Sequence, residues 1–314
     1  MADQNGALMT SVARMYYLDG LGQSEIANIY GVSRSTVSRL LTTARDRGIV
    51  RISVDEFDPR DRDLERQIVD RFGLRAAVVV QAMGSTPASI RRAVGYFAAP
   101  TVADWIARKQ VVGVAGGRTL GELVHHIEPR DQDVGPTFIQ LMGAIGSNPG
   151  RIDASEQSRS LARRFNGVFR TLNTPAFAQS YRARNMFLSH AEIQGVWSAF
   201  DAVDLAIVGL GTLEESAFSE RGVLESEMIA EVRAAGAVGE ICGRFFDDRG
   251  QECDSSLRDR VISIGLEELR KCPDVMAVLS GPARARALQA AIRGGILKSV
   301  VMDQSAALSL LHLT

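Results

Sequence analysis

The chain has 314 residues, 46% of them apolar and 23% charged, and its net charge is −1. These values suit a soluble globular protein of two domains, or one large domain with a small appendage, and no apolar run reaches the length that crosses a bilayer. Three scattered cysteines, Cys242, Cys253 and Cys272, argue against a disulfide framework or a zinc site, and the opening MADQNGALMT lacks the basic-then-apolar order of a secretory signal; a reduced cytoplasmic protein with no metal and no cofactor is expected.

A first helix is predicted over 8–19, where Leu8, Val12, Met15 and Tyr16 recur at helical spacing. Residues 23–42, QSEIANIYGVSRSTVSRLLT, then match a DNA-reading helix-turn-helix position by position. Ala27 is small where the second helix crosses the first. Gly31 supplies the φ > 0 that a tight interhelical turn often needs. Ile26, Tyr30, Val32, Val37 and Leu40 are the expected core, with Ser24 and Ser33 placed to cap the two helices. Ser33, Arg34, Ser35, Thr36, Ser38, Arg39 and Arg45 are assigned to DNA: short hydroxyls and forked cations are the groups that reach phosphates and base edges in a major groove. The charge distribution agrees. Residues 23–51 carry five arginines against two acids, a net +3, so the remainder sums to −4.

After Arg47-Gly48, IVRISV alternates like a short strand, which suggests a winged arrangement. Residues 55–63 are charged and contain a proline; they read as a linker, or as the start of a connecting helix through LERQIVDRFG. The expected organisation is an N-terminal all-α (winged) helix-turn-helix domain over 1–54, a linker over 55–63 and an α/β domain over 64–314. From residue 75 onward the apolar runs AAVVV, VVGVAGG, TFIQLMG, DLAIVGLG, VMAVLSG and SVVMD alternate with helical stretches. That pattern predicts a mainly parallel sheet covered on both faces.

Ligands in such sheets bind outside the carboxyl ends of the strands, where strand order reverses. Three strand ends have a suitable make-up. In VVGVAGGRTL, Gly116 and Gly117 let the backbone approach a ligand, the following helix start points N–H groups at an anion, Arg118 adds a forked charge and Thr119 a hydroxyl. VGLGT contributes Gly209, Gly211 and Thr212, and SGPARARAL places Arg284 one turn into a helix. The spacings are those of neither a nucleotide P-loop nor a dinucleotide fingerprint, so ATP and NAD are not expected.

Taken together, YYLDGLGQSEIANIYGVSRSTVSRLLTTARDRGIVRISV, VVGVAGGRTL, FIQLMGA, DLAIVGLGT, GAVGEICGRFFDDRG and ISIGLEELRKCPDVMAVLSGPARARALQAAIRGGILKSVVMD resemble the SorC/DeoR-type bacterial transcriptional regulators over nearly the whole length. The resemblance implies a C-terminal domain similar in fold to sugar-phosphate isomerases and deaminases that binds a phosphorylated sugar or polyol as effector. It also implies a homotetramer, a dimer of dimers, on double-stranded operator DNA. By the same resemblance the phosphate meets Gly116, Gly117, Arg118 and Thr119, the sugar hydroxyls meet Gln140 and Asp247, and Gly209, Gly211 and Thr212 line the wall. Arg284 stands where the family motif has lysine, Ser280 replaces that motif's first glycine, and GGRT replaces a W-G-x-T arrangement.

Plainer roles compete at several of these positions. Gln140 could serve only to bond backbone at a strand end, and Asp247 with Asp248 only to form a hairpin turn. His125 and His126 suit a helix surface or packing role better than catalysis, and Trp105 and Trp197 suit the core. An isomerase- or deaminase-like enzyme with an accessory DNA-binding domain is the alternative function, since fold alone does not fix function. No short-spaced carboxylate–histidine cluster favours it, and no catalytic residue is assigned.

Overall fold

A computed structural model describes residues 2–52, 57–128, 133–146, 150–216, 218 and 221–313. The chain divides into two units, Met1–Phe57 and Asp58–Thr314.

Among the described residues the first unit has three helices, α1 (Ala2–Tyr17), α2 (Gln23–Tyr30) and α3 (Arg34–Asp46). Val12 and Ala13 from α1, Ile26 and Ala27 from α2, and Val37, Leu41 and Ala44 from α3 form its core. Val37, Leu41 and Ala44 follow the i, i+4, i+7 spacing of one helical face, so Leu40, expected inside, sits half-buried at the rim. Gly31 adopts φ 63° and ends α2, and the Val32 N–H returns to the Ala27 carbonyl at 3.0 Å. Ser33 caps α3 as expected, its Oγ accepting from the Thr36 N–H at 3.1 Å. Ser24 does not cap α2. That helix starts at Gln23, and Glu25 reaches back to accept the Gly22 N–H at 2.7 Å. The expected wing strand is not formed over residues 49–52, where the Val50 N–H instead closes the end of α3 on the Ala44 carbonyl; residues 53 and 54 lie outside the described residues.

Of the expected linker, residues 55 and 56 lie outside the described residues, and residues 58–63 are fastened to the second unit. The Asp61 N–H donates to the Val79 carbonyl at 2.8 Å, and Arg60 forms a two-pronged pair with Glu65 at 2.7 and 2.8 Å. Glu65 is buried in α4 (Arg62–Phe72) and also accepts the Val79 N–H. This pairing satisfies a carboxylate that would otherwise be costly to bury.

Among the described residues the second unit is built on seven strands: β1 (Ala76–Val80), β2 (Val111–Val114), β3 (Thr137–Gln140), β4 (Val168–Arg170), β5 (Leu205–Gly209), β8 (Val275–Val278) and β9 (Ser299–Asp303). A separate antiparallel hairpin comprises β6 (Gly239–Ile241) and β7 (Arg244–Phe246). The large sheet runs β1-β9-β8-β5-β2-β3-β4, and all its pairings are parallel. Alternate residues face opposite cores: Val112 and Val114 join one, Val111 and Ala115 the other. Helices α5 (Pro87–Ile106), α6 (Arg118–His126) and α7 (Ala154–Arg164) cover the first face. Helix α4 covers the second with three later helices, α11 (Leu266–Lys271), α12 (Ala285–Arg293) and α13 (Gln304–His312). Between these groups lie α8 (Tyr181–Leu188), α9 (Ala191–Trp197) and α10 (Ser226–Ala234). From β2 the chain winds outward through β3 to β4. It then returns to β5, beside β2, and winds the other way through β8 to β9. The order of strands therefore reverses between β2 and β5.

Candidate functional site

On α3 the burial of Val37, Leu41 and Ala44 turns Arg34, Ser35, Ser38, Arg39, Thr42 and Arg45 outward, all exposed. Ser33 is exposed and its Oγ lies 2.8 Å from both Ser35 Oγ and Thr36 Oγ1, so the helix start carries a cluster of hydroxyls. Thr36 is half-buried and committed to that cluster. The outward face thus holds hydroxyls at one end and guanidiniums along its length, on a helix whose inner face fixes it to two others.

In the second unit a cavity opens at the carboxyl ends of β2 and β5, at the reversal in strand order. The two strand ends approach so closely that a methyl on Gly209 would lie 2.8 Å from the Gly116 carbonyl oxygen. Gly117 begins α6, donates its N–H to the Ile152 carbonyl at 2.9 Å and accepts from the Gln157 amide at 2.8 Å. Thr119, one residue into the helix, is buried with its Oγ1 3.2 Å from Ser280 Oγ, which joins the β2 loop to the β8 loop. Arg284 is anchored twice by backbone, donating from Nε to the Leu210 carbonyl at 3.1 Å and from Nη1 to the Ser280 carbonyl at 2.8 Å. Its remaining Nη2 meets Glu215 Oε2 at 2.5 Å, and Arg118 Nη2 reaches the same oxygen at 3.2 Å. The Arg284 guanidinium foremost, with Arg118 adding to it, holds the Glu215 carboxyl below the usual carboxylate range.

Gly116, Gly117, Arg118, Thr119, Gly209, Gly211 and Arg284 therefore meet in one cavity. Gln140, Thr212 and Asp247 are not among its lining residues. Gln140 is buried and spends its amide on bracing: it donates to the Met142 carbonyl at 2.7 Å and accepts from Thr171 Oγ1 and the Leu172 N–H. Thr212 accepts the Glu215 N–H at 3.1 Å and so fixes the turn that presents Glu215. Asp247 accepts the N–H groups of Arg249 and Gln251 at 2.9 and 2.8 Å, which closes the turn after β7. His126 stacks edge-on against Tyr96 at 5.2 Å, on the side of the sheet that α5 and α6 cover.

Five further lining residues carry charge: Arg91, Asp153, Glu215, Arg221 and Glu240. Arg221 grips Asp153 at 2.9 and 3.2 Å and also bonds the Ile145 carbonyl. Glu240, buried on β6, pairs through its backbone with Gly211 and through its carboxylate with the Gly243 N–H. Glu215 is not among the residues the sequence singles out; the acidic pair just after a glycine strand end, in GLGTLEES, is the one local signal that could have found it.

A family model described as "Putative sugar-binding domain" matches residues 59–312, and one described as "Sigma-70, region 4" matches residues 10–47. Among curated proteins, the deoxyribonucleoside regulator of Bacillus subtilis (strain 168) is 28% identical over 307 residues, covering 97% of each chain. The sorbitol operon regulator of Klebsiella pneumoniae is 26% identical over 303 residues, covering 96% of each. The crystal structure of the full-length sorbitol operon regulator SorC from that organism superposes with a TM-score of 0.76 at 25% identity, over 97% of this chain and 98% of that one.

Proposed function

The chain belongs to the SorC/DeoR family of sugar-responsive transcriptional regulators, and we propose that it is a cytoplasmic repressor of carbohydrate genes whose effector is a phosphorylated sugar or polyol. The observation that carries this reading is the convergence of Gly116, Gly117 and Gly209 with Arg118 and Arg284 at the reversal in strand order. Glycine lets the backbone approach a ligand, a helix start favours an anion, and two forked cations suit a phosphate. Arg34, Ser35, Ser38 and Arg39 read or position operator DNA, with Arg45 neutralising phosphate and so contributing to the salt dependence of binding. The protein acts as a homotetramer, a dimer of dimers, on a roughly palindromic operator whose half-sites lie one helical turn or a multiple of it apart. The effector acts only through its preference for one arrangement of that assembly, commonly about 1–3 kcal/mol. Among the described residues no helix is long and apolar enough to cross a membrane.

The test is a thermal-shift screen of the full chain against sugar phosphates and the matching free sugars, since a ligand of the folded state raises the melting temperature with concentration. Stabilisation by a phosphorylated compound, lost in Arg118→Ala while operator binding persists, supports the reading. Stabilisation by free sugars alone refutes the phosphate. Arg39→Ala is expected to abolish operator binding with the fold intact, and unchanged binding removes α3 as the reading helix.

A further inference from the structure

We propose that Glu215 is the resident occupant of the anion position: its carboxylate stands where the effector's phosphate binds, and the effector enters by displacing it. The inference rests on the anion site argued above and adds how that site selects its ligand. Both guanidiniums meet on a single oxygen, Glu215 Oε2, at 2.5 Å from Arg284 and 3.2 Å from Arg118. One anionic oxygen shared between two forks is an arrangement that a phosphate oxygen reproduces.

The two sides of this contact are held very differently. The Arg284 side chain is 14% exposed, and its bonds to the Leu210 and Ser280 carbonyls do not involve Glu215. It keeps its place when the carboxylate leaves. The Glu215 side chain is 46% exposed, so it returns to water by rotation about its own bonds. Its backbone is retained by Thr212 Oγ1, and the neighbouring Glu214 pairs with Arg233 of α10 at 3.7 Å. The exchange therefore moves a side chain on a fixed turn.

A resident carboxylate imposes a charge requirement. A neutral sugar offers the arginines nothing to offset the lost ion pair, and a monoanionic carboxylate only replaces like with like. A phosphate monoester brings about −1.5 to −2 charges and three strong acceptor oxygens. It gains over Glu215 on both counts. Glu215 thus works against unphosphorylated compounds, which is specificity by penalising the wrong ligand.

The experiment is calorimetric titration of the full chain with inorganic phosphate, and separately with acetate, for wild type, Glu215→Gln, Glu215→Ala and Arg118→Ala. Glutamine keeps the shape and removes the competing charge. Glu215→Gln and Glu215→Ala are expected to bind phosphate roughly tenfold more tightly than wild type, and to bind acetate, which wild type excludes. Equal or weaker phosphate binding in both variants, with unchanged melting temperatures, overturns the resident-anion proposal. If wild-type binding is then still lost in Arg118→Ala, the anion site itself stands. Absence of phosphate binding in every protein removes the anion site and the proposal together.

Discussion

Replacing Gly209 with alanine puts a methyl between the two strand ends that build the cavity. The added carbon lies 2.8 Å from the Gly116 carbonyl oxygen and 3.5 Å from the Gly117 Cα. Both neighbours are backbone, so no side chain can swing aside. The strands cannot part freely either, because the Ala115 N–H donates to the Ile207 carbonyl at 2.9 Å just inside the contact. Overpacking of this kind costs about 1–3 kcal/mol. At roughly 2–4 °C per kcal/mol, the second unit's melting temperature falls by about 2–12 °C. Separation of Gly116 from Gly209 also shifts the start of α6 away from Arg284, so phosphate affinity is expected to fall more than stability does. Gly117→Ala is the control. Its methyl meets nothing closer than 3.4 Å, and its φ of 161° is extended backbone open to any residue, so its melting temperature stays near wild type. Scanning calorimetry and phosphate titration on both variants decide the matter. Wild-type melting and binding in Gly209→Ala would show that the strand ends do not meet as described.

Three other outcomes are expected. Leu41→Ala empties the centre of the first unit and costs about 2–5 kcal/mol; in a three-helix unit that should melt the DNA-reading face, seen as lost operator binding while effector binding in the second unit persists. Burial pushes all three thiols up, Cys253 to about 11, so the native protein at pH 8 should leave a thiol reagent unreacted and the unfolded chain should consume three equivalents. Burial, and secondarily the charge of His125, lowers the pKa of His126 below the ordinary 6.5. The unfolded chain then takes up the proton first, so stability falls as pH drops through about 6.5 and levels off below the folded-state value. His126→Phe keeps the edge contact with Tyr96 and should flatten that slope in pH-dependent melting.

The sheet was legible because a parallel sheet covered on both faces needs strands apolar on both sides, and AAVVV, LAIV, VMAV and VVM are unbroken apolar runs. The strand β4 has no such run: it is a three-residue edge in which Val168 and Arg170 face solvent. The β6–β7 hairpin was hidden because Glu240 and Arg244 look like surface residues. Both are buried, and Arg244 is satisfied by Glu252 and by the carbonyls of Ser263 and Ile264. In the candidate site the glycines and two arginines, Arg118 and Arg284, could be read because their requirements are local: close backbone approach and a charge at a helix start, whereas Arg91 and Arg221 carried no such signal. Their acidic partners could not. Asp153, Glu215 and Glu240 come from three separate segments, and only the tertiary fold brings them to one cavity. Gln140 and Asp247 both bond backbone, at a strand end and at a turn, while Gln140 also lines a neighbouring cavity, so residue type alone does not separate bracing from presentation to a ligand.

An α/β fold alone leaves open whether a cavity at the strand reversal performs chemistry or only binds, and the partners of its carboxylates bear on that choice. A general base works best with a proton affinity near the operating pH, which enzymes obtain by burying a carboxylate away from cations. At Glu215 the arrangement runs the other way. Glu215 is drawn down by two guanidiniums, Asp153 is gripped by Arg221 through both oxygens, and Glu240 is tied to the Gly243 N–H. These groups are placed to hold cations and donors in position, which suits a shaped receptor with four arginines against three carboxylates. If the effector displaces Glu215 as proposed, that exchange of partners supplies the differential binding a regulator needs to shift between two arrangements.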